Sequence, residues 1–253
     1  MNIKMLALDL DGTLLRDDKT ISERTNRTLV ECRKKGIKIV CATARGNLKN
    51  IVPEELFDGR ILKSGAVAYI GDELFYNKVM NIENVRPFLL AVNNAGLRTA
   101  VQNDDGIHYS NFNVTEKWEY ITNYKIVDFK AINFDPDKIY VITETSESVE
   151  FIKNHTPAGI HLFISRDDIS FLFHEDAIKS KAAITLAEHW NINQSEIIAF
   201  GDDAVDIELL HNCGVGVAVG NALDDVKAAA DYICDTNEND GVAKWLEENV
   251  LCN

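Results

Sequence analysis

Two acidic clusters and one hydroxyl stand where a chain can do chemistry. Asp9 and Asp11 follow the apolar run Ile3–Leu8. Thr43 follows Ile37–Ala42, and Asp202, Asp203 and Asp206 follow Ile197–Phe200. Residues two apart on an extended strand point the same way, so Asp9 and Asp11 can address one ligand. Carboxylates gathered this closely repel one another unless a cation sits among them. A donor set of oxygens without His or Cys suits Mg2+ rather than zinc. Asp9 and Asp202 fit direct ligation. Asp206, one helical turn beyond Asp202, fits holding a metal-bound water or orienting Asp202. With a phosphorylated ligand, one carboxylate of the first pair can attack phosphorus. The other can protonate the leaving oxygen and afterwards activate water. Gly12 lets the chain turn close to that ligand. The Thr43 hydroxyl and the Ala44 amide offer donors to phosphoryl oxygens. Lys181 offers a cation at a helix start, where free amides already favour anions.

Each of these residues also has an ordinary structural reading. A lone Asp-x-Asp after a strand is often a turn or a cap, Asp203 reads as an N-cap, and a lysine at a helix start is commonly solvated. Arg45 has many acids within its choice of ion pair. The six histidines show no metal spacing. Weight comes from the order in which the pieces recur at strand ends and one helix start.

The elements that must position them follow from the hydrophobic pattern. Short continuous apolar runs that stop at polar loops are buried parallel strands. Thr20-Ile21-Ser22-Glu23 reads as a capping box opening a helix to about Lys35, with Gly36 beyond it. Strand, helix and strand make a right-handed βαβ unit. A further strand is expected near Arg60–Lys63, with a hairpin around Gly71-Asp72. From Ile82 to Phe173 the texture changes. One helix spans Glu83–Ala95, strands fall at Arg98–Gln102, Ile107–Tyr109 and Lys138–Glu144, and a second helix starts near Ser146. The strands Ile160–Ile164 and Ile169–Phe173 close the segment, and Trp118 and Tyr120 within it read as core. Ser180 then caps a helix with Ala183, Leu186, Ala187 and Trp190 on one face, followed by strands at Ile197–Phe200, Val215–Val219 and Asp231–Cys234. The expected architecture is α/β: a doubly wound parallel sheet from residues 1–81 and 174–253, with residues 82–173 inserted as a separate α+β unit. Ligands in such sheets sit outside the carboxyl ends of the strands, where the acidic clusters converge.

Composition narrows the classes. The 253 residues carry a formal net charge of −14 and 46% apolar residues. This acidity argues against nucleic acid and against anionic membrane as partners. Arg33-Lys34-Lys35, the densest basic cluster, suits a helix C-terminus. A phosphate site must therefore be made locally positive by a metal, a lysine or backbone amides. Five cysteines without close spacing read as reduced thiols and a cytoplasmic protein. No apolar run approaches a membrane span.

Asp9-Leu10-Asp11-Gly12-Thr13-Leu14 resembles the first motif of the haloacid dehalogenase-like phosphatase superfamily. Thr43 in Cys41-Ala42-Thr43-Ala44-Arg45 is similar to the second motif, Lys181 in Ser180-Lys181-Ala182 to the third, and Gly201-Asp202-Asp203-Ala204-Val205-Asp206 to the fourth. The insert between the second and third, and Gly220-Asn221-Ala222, resemble the Cof-type branch with its α/β cap. The resemblance implies a Rossmann-like core, with Asp9 as nucleophile and Asp11 as acid and base. It implies Mg2+ held by Asp9, the Asp11 carbonyl and Asp202, and a cap that chooses a small phosphorylated metabolite such as a sugar phosphate. Leu10 and Arg45 join Thr43, Ala44 and Lys181 as expected phosphate contacts, and Asp206 joins the metal set. Three positions depart from the pattern: Val205 stands where Asn is usual, Ala182 where Gly is usual, and Ser64-Gly65-Ala66 where the loop often reads Asn-Gly-Ala. The leading expectation is a phosphatase acting as monomer or homodimer. The alternatives are a phosphotransferase or mutase using the same aspartyl phosphate, a receiver-like phospho-aspartate module, and an inactive binder.

Overall fold

A computed structural model describes residues 2–48, 51–119, 121–165 and 168–252. The chain divides into two units, Met1–Tyr76 with Ile178–Asn253, and Asn77–Ala177.

In chain order the first unit opens with β1 (Met5–Leu8), α1 (Glu23–Lys34), β2 (Lys38–Ala42), β3 (Gly59–Leu62), β4 (Val67–Ile70) and β5 (Glu73–Asn77). The second unit contains α2 (Ile82–Asn94), β6 (Thr99–Gln102), β7 (His108–Ser110), β8 (Tyr124–Ile126), β9 (Lys138–Ile142), α3 (Ser146–His155), β10 (Ile160–Ile164) and β11 (Ile169–His174). The chain then returns to the first unit with α4 (Lys179–His189), β12 (Ile197–Gly201), α5 (Ile207–Asn212), β13 (Val215–Ala218), α6 (Asp224–Ala229), β14 (Tyr232–Ile233) and α7 (Gly241–Leu246).

The first unit is built on an eight-stranded sheet ordered β14-β13-β12-β1-β2-β3-β4-β5. From β14 to β3 the pairs are parallel; β3 and β4, joined by residues 63–66, pair antiparallel. β1 and β12 are buried at every residue, as continuous apolar runs covered on both faces must be. α1 packs with α7, and α4 with α5. The fold is the doubly wound α/β architecture, and β12, β1 and β2 lie side by side at its centre. Asp202, Asp9 and Thr43 follow the carboxyl ends of those three strands.

Two local readings change. α1 is capped by Ser22, whose hydroxyl accepts from the Thr25 amide, so the capping residue is Ser22 rather than Thr20. α4 begins at Lys179 with Ile178 before it and no side-chain cap, so Ser180 lies inside the helix; its hydroxyl donates to Glu208 instead.

The second unit is a six-stranded sheet, β10-β11-β9-β6-β7-β8, with α2 and α3 on one face. Val85, Phe88, Leu89 and Val92 of α2 and Ile152 of α3 pack on Val101, Ile139, Val141 and Leu172. The opposite face carries Ala100, Tyr140 and Ile142 under Phe112 and Val114. Trp118 stands edge-on to Tyr140, with ring centroids 5.4 Å apart; Tyr120 lies outside the described residues. The unit is wider than residues 82–173. Met80 is buried in its core and donates its amide to the Pro136 carbonyl, and Lys78 donates to the Asp176 carbonyl.

Candidate active site

The carboxyl end of β1 turns sharply after Asp9. The Asp9 amide donates to the Phe200 carbonyl, which carries the parallel pairing one residue past the strand. Leu10 is fully buried, and its carbonyl accepts from the amides of Thr13 and Leu15. The turn depends on Gly12, which has φ +81°. A Cβ there would lie 2.4 Å from Asp202 Oδ2, so the carboxylate approaches this backbone only because no side chain intervenes. The Thr13 hydroxyl donates to Asp202 Oδ1 at 2.8 Å, tying the two loops together. Asn221 reaches back across the sheet and donates its amide to the Gly12 carbonyl at 2.7 Å.

Asp9, Asp202 and Asp206 each present an oxygen within 4.8 Å of the others. The cation among them is Lys179, whose Nζ lies 2.6 Å from Asp9 Oδ1 and 2.8 Å from Asp206 Oδ1. The Lys179 side chain is 2% exposed. Asp206 accepts from the amides of Asp202 and Asp203 with its second oxygen, both at 3.2 Å. Asp203 caps the short turn Ala204–Asp206, as expected. Asp206 thus orients the Asp202 loop and anchors the lysine, its oxygens already occupied by three donors. Val205 leaves this network intact.

Lys179 therefore replaces Lys181, which is exposed on the far side of the helix. Successive helical residues turn by about 100°, so residues two apart face nearly opposite ways. Lys179 falls on the stripe with Ala182, Ala183, Leu186 and Ala187, all buried, and that periodicity was the available signal. The loop after β3 sets the helix start. Lys63, Ser64 and Gly65 all have positive φ, and a Cβ on Gly65 would meet Ile178 backbone atoms at 2.6–2.7 Å. The same loop braces the second motif. The Ser64 amide donates to the Thr43 carbonyl, and the Lys63 amide to the Arg45 carbonyl.

Thr43 is 1% exposed. Its amide donates to Ile61, and its hydroxyl oxygen accepts from the Arg45 amide at 3.1 Å. Because Leu8 pairs with Cys41, Asp9 runs alongside Ala42 and the Thr43 loop lies just beyond. Ala44 is exposed. The Arg45 guanidinium was expected on phosphate; here it forks onto Asp11, Nε to Oδ2 and Nη2 to Oδ1 both at 2.6 Å. Lys19 adds a third contact to Asp11 at 3.0 Å.

These surroundings set the charges. Burial, reinforced by Asp206 and Asp202, holds the Asp9 carboxyl well above the usual range, even against Lys179. Burial and the neighbouring Asp206 and Asp203 push Asp202 up to about 6, against the Thr13 hydrogen bond. Burial would lower Lys179, but Asp206 and Asp9 outweigh it and raise it above an ordinary lysine. Burial would also raise Asp11, yet Arg45 and Lys19 bring it below the ordinary carboxylate range.

The donor set fits a divalent cation. Three carboxyl groups against one ammonium leave an excess of acids in a largely buried crevice, and every available donor is oxygen. Asp9 and Asp202 are the carboxylates left to hold it.

This arrangement, on this fold, is that of a hydrolase family. The chain belongs to the haloacid dehalogenase-like hydrolases, whose family model matches residues 6–246. Within that family it is a Cof-type phosphatase, a phosphoric monoester hydrolase. It is 30% identical over 259 residues to the 5-amino-6-(5-phospho-D-ribitylamino)uracil phosphatase YcsE of Bacillus subtilis, covering 99% of this chain and 97% of that one. It is 23% identical to the pyridoxal phosphate phosphatase YbhA of Escherichia coli, covering 99% of this chain and 100% of the relative. Among solved structures it resembles the phosphatase BT1666 of Bacteroides thetaiotaomicron, with a TM-score of 0.86 and 25% identity over 97% of this chain and 94% of the other. It also resembles the sugar phosphatase BT4131 of subclass IIB, with a TM-score of 0.84 and 26% identity over 97% and 98%. No helix among the described residues is long and apolar enough to cross a membrane.

Proposed function

We propose that this chain is a Mg2+-dependent phosphatase that cleaves a small phosphorylated metabolite through an aspartyl phosphate on Asp9. The observation that carries the reading is the buried Lys179 bridging Asp9 and Asp206 beside Asp202. It holds one oxygen of Asp9 against an ammonium at 2.6 Å. Bound magnesium would supply charge neutralisation between the carboxylates and the phosphoryl oxygens.

The chain's own residues divide the work. Lys179 holds Asp9 in place and lowers the repulsion that an incoming phosphate meets. The Thr43 hydroxyl and the Ala44 amide receive the phosphoryl oxygens, with the buried Leu10 shaping the turn between Asp9 and Asp11. The second Asp9 oxygen forms a bond to phosphorus as the bond from phosphorus to the substrate oxygen breaks, and Asp11 gives that oxygen its proton. Water then attacks phosphorus and gives its proton to Asp11, the bond from phosphorus to Asp9 breaks, and phosphate leaves. Positioning and electrostatics carry most of the acceleration in such transfers.

The inserted unit is assigned the choice of substrate. The relatives favour a phosphorylated metabolite, since they act on a phosphoribitylamino-uracil and on pyridoxal phosphate by name. A cytoplasmic location accords with five free cysteines. The test is a panel of phosphorylated metabolites assayed for phosphate release with and without Mg2+. Metal-dependent release, abolished in Asp9→Asn, supports the reading; undiminished release by the variant removes Asp9 as the nucleophile. With phosphosugars, free phosphate rather than an isomeric phosphosugar separates hydrolysis from mutase action.

A further inference from the structure

The Asp11 carboxylate is held by two cationic side chains. Arg45 engages both oxygens at 2.6 Å, and Lys19 adds a contact to Oδ1 at 3.0 Å. All three donor atoms belong to cationic side chains, which makes these strong, charge-assisted contacts. The grip is also built rather than incidental. The Arg45 amide is pinned to the Thr43 hydroxyl oxygen and its carbonyl receives the Lys63 amide, which fixes the arm at the residue expected to hold phosphate. Lys19 stands at φ +66°, a left-handed conformation uncommon for lysine, in a turn closed by its own amide to the Arg16 carbonyl. The pair remains accessible: the Arg45 side chain is 28% exposed and Asp11 38%.

A planar guanidinium that matches a carboxylate also matches two oxygens of a phosphate. A phosphate dianion carries more charge than one carboxylate and competes for the same fork. We propose that Arg45, assisted by Lys19, is an anion-exchange latch. In the resting enzyme it holds Asp11; an arriving phosphoryl group takes the carboxylate's place on the cations, and Asp11, released from them, takes up a proton from water and turns toward the leaving oxygen. Arg45 is then a positioning residue for Asp11 as well as a phosphate contact. The Asp11 side chain is held back until a phosphate is present. This inference rests on the phosphatase reading of the same site.

Competition for one cation has a signature that simple charge repulsion lacks. Binding of inorganic phosphate to the full chain in Mg2+ is measured by calorimetry for wild type, Asp11→Asn, Arg45→Gln and the double variant. The latch predicts that Asp11→Asn tightens phosphate binding about two- to fivefold when Arg45 is present, as expected for releasing a partly exposed ion pair. It predicts almost no tightening in the Arg45→Gln background. Equal tightening in both backgrounds, or none in either, overturns the latch. Wild type binding no phosphate in the presence of Mg2+ overturns the phosphatase reading and the latch together. Circular dichroism melts of all four proteins confirm that the comparison is between folded chains.

Discussion

Replacing Lys179 by methionine isolates the contribution of the buried cation. The substitution keeps most of the length of the side chain and removes only its charge and donors. In the native protein that ammonium sits between Asp9, 7% exposed, and Asp206, 1% exposed. Removing one partner of a buried pair leaves uncompensated charge and costs about 3–5 kcal/mol. Asp9 already titrates well above an ordinary carboxyl because it is buried, and without Lys179 it rises further. An acid whose folded pKa exceeds its unfolded value adds stability below the unfolded value and loses it as pH rises through the folded one. In EDTA the variant's deficit, read from urea denaturation, is therefore small near about pH 4 and grows toward neutrality. Phosphate release should fall by about a thousandfold, at the upper end of what one lost electrostatic contact costs. Lys181→Met, on the exposed face, should stay within about 0.5 kcal/mol of wild type and keep its activity. Equal damage from the two substitutions would refute the placement of Lys179, as would a Lys179→Met protein that turns over normally.

Gly12→Ala should weaken Mg2+ binding by at least about tenfold, because the new methyl meets the Asp202 carboxylate at 2.4 Å on a left-handed backbone; calorimetry with Mg2+ alone checks it. Asn221→Ala removes the hydrogen bonds to the Gly12 carbonyl and from the Asn237 amide and should lower kcat several-fold and stability by about 1–2 kcal/mol, read from steady-state kinetics and thermal melts. Burial raises the thiols of Cys41, Cys213 and Cys234 to about 12 and that of Cys32 to about 11, while Cys252 is exposed. Iodoacetamide at neutral pH should therefore label Cys252 first, as peptide mass spectrometry would show, and Cys41 labelling at the same rate would contradict the packing.

The parts of this protein that were legible in its sequence are those where local pattern and tertiary role agree. β1, β2 and β12 are runs of apolar residues that end at an acid or a threonine, and buried parallel strands require nothing subtler. Asp9, Asp202 and Asp206 were visible because carboxylates at strand ends need a cation. Lys179 was misread in favour of Lys181 because the motif was matched by neighbouring residue types. The helical stripe through Ala182, Ala183, Leu186 and Ala187 points to Lys179 instead. The grip of Arg45 and Lys19 on Asp11 had no local signal: the residues are 34 and 8 positions away, and ion-pair choice among many acids is a tertiary matter. β8, three residues with Lys125 at its centre, is too short and polar to show alternation and exists because it pairs with β7. The boundary of the inserted unit moved outward because Met80 contributes to its core, which no composition change marks.

The central claim is that phosphorus becomes bonded to Asp9. The direct measurement is to mix the enzyme with excess phosphorylated substrate and Mg2+, quench in acid during turnover, and map phosphopeptides by mass spectrometry. The account predicts a phosphoryl group on Asp9, in the peptide that carries Leu10 and Asp11, and none when Mg2+ is withheld. Rapid phosphate release with Asp9 never modified, or a phosphoryl group on another residue, would contradict it.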